Sequence, residues 1–340
     1  MIADLRSSLA LASCVSTILL LAGCGESGAP NPDPEPLDLG VRVVVDSSEF
    51  RSDGAFALDL VPADRQGASF VTDEWAISAT LSAPATVPLI QISQEVQPPD
   101  TQAVASAILI DDSGSMRFSD PDRQRASAAR LFWSDILAAR PANVVALLDF
   151  GRGDTEPTPG FDRTVLLAGF TSDQGILEAA LDQIQGVPGG STPLYTAASE
   201  VIAWMDTTTP AGAQRSLVVI TDGEPSEPQV ADSLFAVAAG HQVRIFAVGV
   251  GAAAENDPAT TAATLVRELA SRTGGIYGAA ESATELETIL RTLARSASPS
   301  RLLVHLRVEP SPASGTGIAG TVTVTGERGT ATADWSFVAP

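Results

Sequence analysis

Between residues 104 and 298, six short apolar runs alternate with longer stretches whose apolar side chains recur every three or four positions. The runs read as strands at 105–110, 144–150, 164–168, 216–221, 242–250 and 275–280. The stretches read as helices at 122–139, 174–185, 194–206, 229–239, 262–273 and 283–298. In the first helix Ala129, Leu131, Phe132, Ile136 and Leu137 share one face. Strands separated by helices are joined by crossovers, and a crossover sets neighbouring strands parallel. The expectation is an α/β domain: a doubly wound, mostly parallel, six-stranded Rossmann-like sheet flanked by helices.

The flanks follow another period. From 41 to 92, short β-branched or alternating runs are broken by Gly, Pro, Asp and Ser, and the pattern returns at 302–308, 320–324 and 330–338. Neither piece has enough strands for a stable sheet pair alone. A β-rich segment at 41–103 is therefore expected to pair with a C-terminal β segment at 299–340. Together they would form a smaller all-β, sandwich-like domain into which the 104–298 domain is inserted.

Both cysteines fall within the first 24 residues, so none is left downstream for an internal disulfide. Arg6 precedes an apolar run over 9–22, shorter than the roughly 20 residues that span a bilayer. The run ends in Leu21-Ala22-Gly23-Cys24, which resembles the bacterial lipobox, although the basic region is thin because Asp4 opposes Arg6. The resemblance implies a signal peptide over 1–23 and lipidation of Cys24. Gly25, standing where an aspartate would retain many lipoproteins at the inner membrane, implies the outer membrane. Residues 24–40 then read as the lipidated cysteine and a Pro-rich linker, held extended by four prolines between 25 and 38.

The formal net charge is −21, and all 20 basic residues are arginine. No basic stripe is available to neutralise a phosphate backbone, which argues against nucleic acid as a partner. The only histidines, His241 and His305, fall in different expected domains, so no histidine triad or multi-histidine zinc site can assemble. No Gly-x-Ser-x-Gly elbow is present. Arg152-Gly153-Asp154 reads as a plain turn, Trp133 and Trp204 as packing residues, and Asp120 and Asp122 as caps of the helix after Pro121.

Oxygen-bearing side chains gather in three loops. The first strand runs into Asp111-Asp112-Ser113-Gly114-Ser115, a Gly-rich loop carries Ser191-Thr192-Pro193-Leu194-Tyr195, and a later strand ends in Thr221-Asp222-Gly223-Glu224. Their order and spacing resemble the metal-ion-dependent adhesion site of von Willebrand factor type A domains, over about 104–298. The resemblance implies that Ser113 and Ser115 offer hydroxyl oxygens directly to an ion. Thr192 would bind directly or through water, with Ser191 the competing choice, and Asp111 and Asp222 would act mainly through water. Oxygen-only donors select a hard cation, Mg²⁺ first, with Mn²⁺ a substitute and Ca²⁺ a poorer fit. An open position on an ion held by neutral hydroxyls favours a carboxylate, which a protein partner would supply. Asp112 departs from the family, where this position is usually apolar or neutral; strand alternation turns it away from Asp111 and Ser113. The expected function is a lipid-anchored, metal-dependent protein-binding module for adhesion or envelope assembly, not an enzyme. The alternatives are a metal-dependent hydrolase, for which Glu224 is the only nearby glutamate, and a structural envelope lipoprotein.

Overall fold

The computed structural model describes residues 38–63, 75–98, 102–152, 156–184, 190–223, 225–254, 261–280, 282–296, 300–326 and 329–340. Cys24, the signal peptide and the Pro-rich linker as far as residue 37 lie outside the described residues, as do Gly153, Asp154 and Glu224; residues 38–40, expected as the end of the linker, are strand.

The chain opens with β1 (Asp38–Val44), α1 (Ser47–Asp53), β2 (Ala55–Ala63), β3 (Ala76–Ala83) and β4 (Leu89–Gln97). The alternating region follows as β5 (Val104–Asp111), α2 (Met116–Ser119), α3 (Gln124–Ala139), β6 (Val144–Phe150), β7 (Thr164–Thr171), α4 (Gln174–Leu181) and α5 (Leu194–Thr208). It continues through β8 (Gln214–Thr221), α6 (Ala231–Gly240), β9 (Arg244–Val250), α7 (Thr261–Ser271), β10 (Tyr277–Ala280) and α8 (Ala283–Ser296). The chain closes with β11 (Arg301–Val308), β12 (Gly317–Gly326) and β13 (Gly329–Val338).

Six strands form one sheet in the order β10-β9-β8-β5-β6-β7. All neighbours are parallel except β6 and β7, which are antiparallel. The connection over 151–163 carries no described helix, so it turns back without a crossover and the sheet is mixed. Every residue of β5 is buried, as a central strand covered on both faces requires. Ile108 and Ile110 pack with Phe132, Trp133 and Leu290 on one face; Leu109 packs with Leu148, Tyr195 and Val201 on the other.

The flanking segments make two antiparallel sheets, β1-β2-β11-β4 and β13-β12-β3. Strand β11 pairs with both β2 and β4, and β12 pairs with β3, so N-terminal and C-terminal strands share each sheet. Alternate residues of β11 are buried against a core that includes Phe56, Leu58, Trp75, Val322 and Trp335. Val61 and Ala63 of β2 reach into the core of the α/β domain. At Gly40 a Cβ would stand 2.2 Å from the Gly275 carbonyl oxygen, so β1 rests on the turn before β10 backbone to backbone.

Two short helices depart from the expected pattern. In α1, Asp46 caps the N-terminus by accepting from the Ser48 and Glu49 amides, Gly54 ends it at φ 74°, and only Phe50 is buried. One buried residue leaves no apolar period to detect. The second, α2, occupies a loop expected to run on to Pro121. Helix α3 begins at Gln124 rather than 122, and α4 ends at Leu181 rather than 185. Among the described residues no helix is long and apolar enough to cross a membrane.

Candidate metal centre

Asp111 is the last residue of β5, and β8, its hydrogen-bonded neighbour, ends at Thr221. Chain order reverses across this pair, since β6 lies on the other side of β5. Loops leaving the carboxyl ends of two such strands diverge, and the gap between them is where an open α/β sheet takes a ligand.

Asp111 shapes the first loop. Its Oδ1 accepts from the Ser113 amide at 2.8 Å, closing an Asx turn, and its Oδ2 accepts from the Thr221 hydroxyl at 2.5 Å. The Ser113 and Ser115 hydroxyls then lie 3.2 Å apart. Ser115 donates to Asp222 Oδ1 at 2.8 Å, and the Ser119 hydroxyl donates to Asp222 Oδ2. Met116, fully buried, pins the loop behind them.

Backbone bonds bring in the third loop. The Gly114 amide donates to the Gly190 carbonyl at 3.3 Å, and the Thr192 carbonyl accepts from Ser226 at 2.9 Å. A Cβ on Gly223 would lie 3.5 Å from the Thr192 hydroxyl oxygen and 3.8 Å from that of Ser115. Thr192 and Ser115 thus flank the residue that follows Asp222. Asp111, Ser113, Ser115, Thr192 and Asp222 belong to one cluster, while Ser191 is the more exposed of the two threonine-role candidates.

Thr221 and Ser119 were not singled out in the sequence. Thr221 stands out in the sequence only as part of a Thr-Asp-Gly string. Ser119 follows Ser115 by four positions, the spacing that puts two side chains on one helix face once the turn of α2 is recognised.

The donor chemistry fits a hard divalent cation. Two buried carboxylates converge with the Ser113, Ser115, Ser119, Thr192 and Thr221 hydroxyls, and among the described residues no basic side chain is bonded to either carboxylate. Burial pushes the Asp111 carboxyl up to about 6, against the Ser113 and Thr221 hydrogen bonds that lower it, and the charge of Asp222 adds to the rise. A nearby cation would reverse that penalty. Among the described residues no three of His, Cys, Asp and Glu are grouped so as to hold a metal ion, and the hydroxyls stand beside the two carboxylates as further oxygen donors.

Asp112 is held elsewhere. Its carboxylate pairs with Arg125 at 2.7 Å and Arg152 at 3.2 Å, and Arg152 also pairs with Asp149. Arg152 is thereby turned inward. Asp120 accepts from the Gln124 and Arg125 amides at 2.6 and 3.1 Å, capping α3, while Asp122 is exposed. His241 approaches Asp206 and His305 approaches Glu95, each outside the cluster. Trp133 is fully buried and Trp204 stacks on Phe170.

Residues 107–224, from the middle of β5 to just past Asp222, match the family model of the von Willebrand factor type A domain. The α/β domain has the von Willebrand factor A fold. A search of curated proteins gives no match. Among solved structures, the SpRpn10 VWA domain is similar at 14% identity and a TM-score of 0.43, over 55% of this chain and 94% of that one. The pilus adhesin SpaC from Lactobacillus rhamnosus GG is similar at 13% identity and a TM-score of 0.43, over 92% of this chain. The chain spans about half of SpaC, 48% of its length. The conserved hypothetical protein BatB from Bacteroides thetaiotaomicron is similar at 21% identity and a TM-score of 0.40, over 57% of this chain and 99% of that one. Von Willebrand factor A domains generally bind protein partners.

Proposed function

We propose that this chain is a divalent-metal-dependent protein-binding module, anchored by lipid on Cys24 to the outer membrane of a bacterial envelope and serving adhesion or envelope assembly. The observation that carries it is the convergence of the Ser113, Ser115 and Thr192 hydroxyls with the Asp111 and Asp222 carboxylates between the ends of β5 and β8. These residues would hold Mg²⁺ or Mn²⁺, and the ion when bound would offer an acceptor position to a partner carboxylate. Ser115 and Ser119 donate to Asp222, which keeps a buried carboxylate satisfied and the loop in place. Phe118, on the same short helix, is 74% exposed and would give a partner an apolar contact beside the polar site.

Crosslinking in native membranes, followed by mass spectrometry of wild type and Asp111→Ala with and without chelator, tests partner and site together. The expected result is a protein crosslinked only in the metal-replete wild type. The same crosslink in excess chelator overturns metal dependence. Cys24→Ala is expected to move the chain to the soluble exported fraction or leave it as precursor, and unchanged fractionation with no lipid on the wild type overturns the anchor.

A further inference from the structure

At the opposite ends of the same strands, about 23 Å along β8 from Thr221, lies a second polar pocket of about 380 Å³. Arg42, Arg215, Arg244 and Arg301 line it, and no carboxylate is among its lining residues. That is an unusual concentration in a chain of net charge −21.

The arginines share too few counter-charges. Arg42, Arg244 and Arg301 all converge on the single oxygen Oδ2 of buried Asp59, at 2.7, 3.0 and 3.3 Å. Arg215 pairs with Asp206 at 3.1 Å, an oxygen that His241 also approaches at 3.2 Å. Four guanidinium groups thus face two carboxylates, an excess of two positive charges in a partly desolvated cleft. The Nε atoms of Arg42 and Arg215 are buried without an acceptor. Burial and the neighbouring Arg42 and Arg301 charges push Arg244 down to about 10, while Asp59 opposes the shift. Uncompensated buried charge is costly, and guanidinium forks match tetrahedral oxyanions in geometry as well as charge.

We propose that this pocket binds a doubly charged oxyanion of the phosphate or sulfate class. A dianion balances the excess and gives the arginine forks lining the pocket an acceptor. Arg42 lies on β1 and Arg301 on β11 of the β-domain, whereas Arg215 and Arg244 open β8 and β9 of the α/β domain. The bound ion therefore ties the two domains together at their junction. This site is independent of the proposed metal centre, and its test does not involve Mg²⁺.

The test is calorimetric titration of the full chain in a chloride buffer with inorganic phosphate, sulfate and glycerol phosphate, alongside thermal melts at matched ionic strength in sodium chloride. Saturable one-site binding and a higher Tm than in chloride are expected. Arg42→Gln and Arg301→Gln should each weaken binding about tenfold or more, while Arg163→Gln, on an exposed loop, leaves it unchanged. Tighter binding of inorganic phosphate supports a free ion as the ligand; tighter binding of glycerol phosphate supports a phosphoryl group on an organic molecule. A wild type that responds to phosphate no differently from chloride overturns the proposal, as does undiminished binding by a folded Arg42→Gln/Arg301→Gln variant.

Discussion

Asp112 and Arg125 meet at 2.7 Å with both side chains wholly excluded from solvent. The contact ties the loop carrying Ser113 and Ser115 to the first turn of α3, where Arg125 also holds Asp120 at 2.8 Å. Arg152 closes on Asp112 from the end of β6. Adjacent residues at a strand end thus divide the labour: Asp111 faces the hydroxyl cluster and Asp112 faces the arginines. Burial pushes the Asp112 carboxyl up, and Arg125 followed by Arg152 opposes the rise.

Removing one partner of a buried pair strands the other. Arg125→Met should therefore destabilise the fold by about 3–5 kcal/mol, read from urea unfolding at neutral pH. Pairing it with Asp112→Asn, which removes the buried charge then left with Arg152 alone, should recover part of the loss. A single variant within about 0.5 kcal/mol of wild type, the range of ordinary surface substitutions, would show that the pair does not hold the loop.

The α/β domain was legible in the sequence because its strands are buried on both faces and read as unbroken apolar runs, as in Leu217-Val218-Val219-Ile220. The three oxygen-rich loops were legible because each follows directly on a strand or opens a helix. Three things were not. The reversal of β7 depends on a connection with no period of its own. Helix α1 rests on one cap, one glycine and one buried phenylalanine. The arginines around Asp59 are spread from position 42 to 301: the pairing of β2 with β1 and β11 brings in Arg42 and Arg301, and Arg244 reaches Asp59 from β9 of the other sheet.

The metal centre is open to a direct measurement. Wild type should melt higher in millimolar Mg²⁺ than in chelator, by about 2.7 kcal/mol of added stability when the ion is at about 100 times its Kd. Ser113→Ala removes an oxygen without changing charge, and Asp222→Ala removes a charge that would balance the ion. Both should lose most of the Mg²⁺-dependent shift while keeping the far-ultraviolet circular dichroism of wild type. Equal shifts in wild type and both variants would place any bound ion elsewhere.

Asp59 predicts a pH dependence. Burial alone would raise its carboxyl, but Arg244, Arg42 and Arg301 together outweigh burial and hold it below the usual carboxylate range. The unfolded chain then binds the proton more readily than the folded one. The stabilisation is present above the ordinary value of about 4 and is lost as pH falls through the lower folded value. Urea unfolding between about pH 3 and 6 should show this loss in wild type, and its absence in Asp59→Asn. Parallel pH profiles for the two proteins would refute the assignment.

The strand pairing makes the two domains unequal when cut apart. A fragment of residues 104–298 keeps all six strands of its sheet and both covering layers, so it should unfold cooperatively on its own. It would melt below the full chain, because Val61 and Ala63 no longer cover part of its core and Gly275 loses its contact with β1. A fragment of residues 41–103 keeps only β2 beside what remains of β1: β4 loses β11, and β3 loses β12. A lone hairpin is marginal in water, so this fragment should show no cooperative transition in urea until a 299–340 peptide is added. Cooperative unfolding of 41–103 alone would mean that the C-terminal strands decorate the β-domain rather than complete it.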